Sequence, residues 1–137
     1  EMPEGIAAVV SYVFNNDLPE NISFRERVLK RTGKMPSNRI AQGYWNMMFL
    51  AEAIKKAGTT DTEKVIDAWE DLTISTPAGP LWMRPYDHQA AVSVFGGYTY
   101  KDKMYPDFLI LKDPKRIDGK FLLTPLEEVK KLREGKK

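Results

Sequence analysis

Apolar residues at Ile40, Tyr44, Met47, Met48, Ala51 and Ile54 recur at helical spacing, which predicts an amphipathic helix from Asn38 with one covered face. Gly58 is its stop signal. Thr60, with Glu63 three positions on, spells a capping box for a second helix from about Asp61 that buries Val65, Ile66, Trp69 and Leu72. Upstream, residues 6–14 (IAAVVSYVF) are nearly continuous in apolar and β-branched side chains, the pattern of a strand covered on both faces and central in a parallel sheet. Residues 15–21 hold turn formers and Pro19. Ser23 with Glu26 then reads as a capping box, predicting a helix over 24–32 that Gly33 and Pro36 end. Pro77, Gly79 and Pro80 break the helical run, and strands are predicted over 81–84, 91–100 and 108–111, with a bulge or bend at Gly96-Gly97. Thr124, Pro125 and Glu127 stand in cap, first-turn and third positions for a terminal helix over 125–134.

Strand, helices, then several strands and a helix make an α/β order that does not by itself close a doubly wound sheet. At 137 residues the chain is long enough for one domain with a core. Its 21 Lys and Arg against 19 Asp and Glu leave a net charge of +2, too balanced for nucleic acid or an anionic membrane to be the main partner. The basic cluster Lys130, Lys131, Arg133, Lys136 and Lys137 reads as a solvated helix end. There is no cysteine, hence no disulfide or thiolate site, and no apolar run long enough to span a bilayer.

Chemistry has few candidates. His88 is the one histidine, and with Asp87 it would need a nucleophile and an orienting group from elsewhere to act as a hydrolase; neighbours on an extended chain also point to opposite faces. The stronger expectation is structural: Asp87 caps the turn after Arg84-Pro85, while His88 and Gln89 bond backbone. No metal-ligand spacing, dinucleotide fingerprint or phosphate loop is present, so no cofactor and no metal are expected. Tyr12 and Phe14 leave the end of the predicted parallel strand, where ligands gather in open α/β folds, and are candidate cleft residues.

The wording of several stretches is more particular than their periodicity. The segment IAQGYWNMMFLAEAIKKAGTTD, FRERVLKRTGKMP before it, and TPAGPLWMRPYDHQ after it resemble, in order and spacing, the extracytoplasmic solute-binding proteins of ABC importers, in the branched-chain amino acid receptor family. Val28 and Thr32 replace the family's usual aromatics. The matches cover about two thirds of the chain. The resemblance implies a partial type I periplasmic-binding fold, three-layer α/β/α with a mostly parallel sheet, of which this chain is the C-terminal part. Residues 1–14 would then cross the hinge from the second lobe, 15–90 complete the first lobe with three helices, and 91–137 return to the second. It implies an extracytoplasmic, periplasmic receptor that is not an enzyme, takes an amino acid or related small solute between two lobes, and delivers it to an ABC permease. A sensor domain of a signalling receptor with the same fold is the alternative. The residues just before the Tyr44 helix face the ligand in that family, which points to Arg39, Ile40 and Gln42, with Arg39 able to pair with a carboxylate. Asp87, His88 and Gln89 match the family's D-H-Q at the lobe junction. The family's ammonium and carboxylate contacts fall before Glu1, so this chain alone is expected to bind solute negligibly. It is also expected to pair with a copy of itself through sheet edges or swapped elements.

Overall fold

A computed structural model of the chain describes residues 3–105 and 108–135; Lys136 and Lys137 of the basic cluster lie outside them. In chain order it runs β1 (Ala7–Val10), α1 (Pro19–Thr32), α2 (Asn38–Ala57), α3 (Thr62–Trp69), β2 (Thr73–Thr76), β3 (Gly79–Met83), β4 (Ala90–Ala91), β5 (Val94–Lys101), β6 (Leu109–Ile117), a 3-10 turn at Gly119–Leu122 and α4 (Leu126–Glu134). The strands make two three-stranded sheets, β1-β5-β6 and β2-β3-β4.

The α/β architecture is the expected one, but its pairing is not. Every strand pair among the described residues is antiparallel, and β1 is a four-residue strand bonded only to β5, with alternate residues exposed. Residues 11–14 leave the sheet, and the Ser11 and Tyr12 hydroxyls and the Phe14 carbonyl bond to α1 and α2 instead. They become a buried crossing segment, with Tyr12, Val13 and Phe14 in the core. An unbroken apolar run reports burial, not which strand lies alongside. The register slips between Gly96 and Tyr98, which is the expected bulge. Gly97 permits it: a Cβ there would sit 3.0 Å from the Lys112 carbonyl oxygen.

Helix ends follow local chemistry with three corrections. α1 starts at Pro19, whose fixed φ suits the first turn, with Leu18 at the cap and no side-chain bond, so Ser23 lies inside the helix. Its end is the expected one, Gly33 in the left-handed region at φ 69°. Asp61, not Thr60, caps α3 by accepting from the Lys64 amide. Pro125 sits at the cap of α4 without a side-chain bond. α2 is capped by Ser37, which accepts from the Ile40 amide at 3.3 Å, and stopped by Gly58.

The core joins crossing segment, helices and both sheets through Tyr12, Phe24, Trp45, Phe49, Leu81 and Phe95. Tyr12 meets Phe24 and Trp45 edge-on at 6.1 and 6.3 Å. α2 turns Ala41, Trp45, Phe49 and Ala53 inward. Its predicted covered face is the other one: Ile40, Met47, Met48 and Ala51 are exposed, and Tyr44 and Ile54 half-buried. α3 buries Val65 and Ala68, leaving Ile66 and Trp69 half-buried.

A candidate solute site at the crossing segment

Side-chain hydrogen bonds hold residues 11–16 in place. Asn21, fully buried on α1, accepts from the Tyr12 hydroxyl at 2.7 Å and donates to the Phe14 and Asn16 carbonyls at 2.8 Å each. Arg25 adds a second donor to the Phe14 carbonyl. Asn16 donates to the Pro77 carbonyl, and Asn15 donates to the Leu111 carbonyl of β6 at 2.8 Å. Ser11 donates to Asn38 Oδ1 and accepts from Gln42 Nε2, both at 2.8 Å, which fastens the end of β1 to the first turns of α2. Burial pushes the Tyr12 hydroxyl well above its ordinary pKa, against the pull of Arg25, so it stays a neutral donor to Asn21.

Beside this segment lies a cavity of about 370 Å³ between β1, β6 and the loop into α2. Its walls are mostly apolar, with Val10, Tyr12, Phe14, Phe108 and Ile110 on one side, and Met35 and the Ser37-Asn38 start of α2 on the other. Phe14 packs edge-on against Phe108 at 5.9 Å and Tyr105 at 4.8 Å. Apolar walls with a few fixed polar groups at one end are what a small-molecule site needs.

The sequence candidates divide here. Tyr12 and Phe14 line the cavity. Gln42 is outside the lining and connects to it indirectly, through Ser11, which donates to Asn38 of the cavity wall. Arg39 and Ile40 are on the same first turn of α2 but exposed and outside the lining. The polar frame of Ser11, Asn15, Asn21 and Asn38 was not anticipated. Its only sequence signal is the density of Asn in residues 15–21, which reads equally as a turn.

Asp87, His88 and Gln89 form a separate turn. The buried Arg84 guanidinium is forked onto both Asp87 carboxylate oxygens, through Nε at 2.8 Å and through the second terminal nitrogen, and also donates to Gln89 Oε1 and the Thr124 carbonyl. This hydrogen-bonded pair holds the Asp87 carboxyl below the usual carboxylate range and raises Arg84 further. Asp87 Oδ1 also accepts from the Gln89 amide, and His88 donates its amide to the Arg84 carbonyl at φ 56°. The His88 ring instead meets Glu70 at 2.8 Å. Asp87 and His88 thus serve different partners, and the arrangement lacks a nucleophile aligned with a base. Among the described residues, no group of His, Cys, Asp and Glu could hold a metal ion.

Several solved structures share the fold of this chain. An ABC-type branched-chain amino acid transporter protein from Rhodopseudomonas palustris superposes with a TM-score of 0.79 at 27% identity, over 89% of this chain and 33% of that one. The leucine-, isoleucine-, valine-, threonine- and alanine-binding protein from Brucella ovis, in a closed conformation, gives 0.73 at 22% identity, over 90% and 33%. A solute-binding protein from R. palustris BisB5, in complex with 3,4-dihydroxybenzoic acid, gives 0.73 at 20%, over 84% and 31%; these last two show the fold. The chain therefore spans about a third of the length of the structures it matches. No curated protein matches the sequence. The periplasmic binding protein family matches residues 3–98, well over half of the chain, and the chain belongs to that family.

Proposed function

We propose that this chain forms one wall of a two-lobed extracytoplasmic receptor that captures a small solute and delivers it to an ABC permease. The observation that carries the reading is the apolar cavity at the crossing segment, braced on its polar side by Ser11, Asn38 and Gln42. The solute is an amino acid or a related small molecule. Similar structures include both an amino acid receptor and a protein holding an aromatic acid. Rings of Tyr12 and Phe14 supply apolar contact, and Arg39, Ile40 and Gln42 supply the turn of α2 facing the second lobe. Tyr12 contributes its ring alone, since its hydroxyl is committed to Asn21.

In this reading residues 1–14, 15–90 and 91–137 pass from the second lobe to the first and back, and the Arg84–Gln89 turn is the junction. Solute bridging the lobes shifts an existing open–closed equilibrium by its differential affinity for the closed form, and no bond is made or broken. The test is calorimetric titration of the protein from the complete reading frame against amino acids and hydroxybenzoates. One of these is expected to bind at micromolar affinity, and Arg39→Ala to weaken an anionic solute roughly tenfold, as for a lost charge-assisted contact. Failure of every solute to bind a folded receptor would contradict the reading.

A further inference from the structure

Most polar side chains in the cavity wall are already committed. Tyr12 donates to Asn21, Asn15 Nδ2 to the Leu111 carbonyl and Thr99 to the Pro3 carbonyl, while Ser37 Oγ caps α2. Asn38 differs from them. Ser11 Oγ accepts from Gln42 Nε2 at 2.8 Å, so its single proton goes to Asn38 Oδ1, also at 2.8 Å. That direction fixes the Asn38 amide with its oxygen turned to Ser11, and Nδ2 forms no hydrogen bond among the described residues. Asn38 is a half-buried lining residue. Its Nδ2 is therefore an oriented donor at the α2 end of a wall whose lining side chains carry no charge.

We infer that Asn38 determines specificity: its Nδ2 reads an acceptor oxygen, a hydroxyl or a carbonyl, on the otherwise apolar end of the solute. This rests on the cavity being the solute site of the proposed receptor. A purely apolar group would suit Val10, Phe14 and Phe108 on the opposite side but would leave Nδ2 desolvated and unpaired, which costs binding. An ammonium at this end would fare worse, because a donor would face a donor with no carboxylate in the lining to receive it. The relay from Gln42 through Ser11 to Asn38 also gives Gln42 an effect on specificity without a place in the lining.

The experiment is calorimetric titration of the receptor from the complete reading frame with two matched pairs that differ by one hydroxyl, benzoate with 4-hydroxybenzoate and phenylalanine with tyrosine, and with leucine. In at least one pair the hydroxylated member is expected to bind roughly tenfold more tightly. Asn38→Ala is expected to remove that difference. Ser11→Ala, which keeps Asn38 but frees its amide to turn, is expected to reduce it. Unchanged far-ultraviolet circular dichroism will confirm that the variants fold, and the comparison within each pair tests the wild-type receptor without them. Equal affinity within both pairs, a preference that survives Asn38→Ala, or tight binding of leucine alone overturns the inference and leaves the receptor reading standing. No binding of any solute by a folded receptor overturns that reading, and the inference with it.

Discussion

Arg84 ties the turn at residues 84–89 to the Thr124 carbonyl near the start of α4. Its guanidinium satisfies Asp87, Gln89 and the Thr124 carbonyl while nearly buried, so removing the carboxylate leaves a buried cation short of its counter-charge. Asp87→Asn is expected to cost about 3–5 kcal/mol, measured by urea unfolding. The pH sign follows from the direction of the shift. Arg84 holds the folded-state pKa of Asp87 below its unfolded value, so the pair contributes stability in full above the unfolded carboxylate pKa of about 3.9. That contribution is lost as pH falls through the lower folded value. The stability gap between wild type and Asp87→Asn, measured from pH 7 down to 3, should therefore stay constant to about pH 4 and narrow below it. A gap that does not narrow would contradict this. A second residue-scale expectation concerns Gly119, where a Cβ would lie 2.4 Å from the Ala91 carbonyl carbon and 2.5 Å from the Val92 backbone. Gly119→Ala should cost about 2 kcal/mol or more by overpacking against main chain that has no rotamer to change.

Among the elements, α2 links most of the structure, since its first turn braces the cavity and its inner stripe fills the core. Ser37→Ala removes the bond to the Ile40 amide and should lower stability by about 1 kcal/mol. It should also loosen the Asn38 and Gln42 contacts to Ser11. Trp45→Ala should cost about 3–5 kcal/mol as a core cavity. The extent of α2 was legible from its periodicity, its start and its glycine stop. Which face points inward was not, because the helix carries two apolar stripes, one at steps of four and one at alternating steps of four and three. Spacing alone cannot rank two such stripes. β2 escaped notice for a related reason: Thr73–Thr76 is too short to set a period after a helix. Asn21 gave no signal beyond the Asn density of residues 15–21, because its value lies in three partners on the crossing segment, and such partners leave no pattern along one helix.

For the whole molecule, the family was legible in exact residue wording across residues 24–89, and the similar structures superpose over most of the chain. The two-lobe path was inferred from resemblance, whereas the all-antiparallel pairing within the chain came from the structure alone. Solute specificity stayed out of reach because, of the residues singled out in the sequence for a ligand, Tyr12 and Phe14 alone line the cavity. A cleft closed by two lobes draws its affinity from contacts on both, and one wall keeps neither full desolvation nor both ends of the ligand. Titration of the 137-residue chain by calorimetry against amino acids and hydroxybenzoates tests this most directly. The account predicts no binding tighter than millimolar by the chain alone. Micromolar affinity of the chain for any amino acid would contradict it.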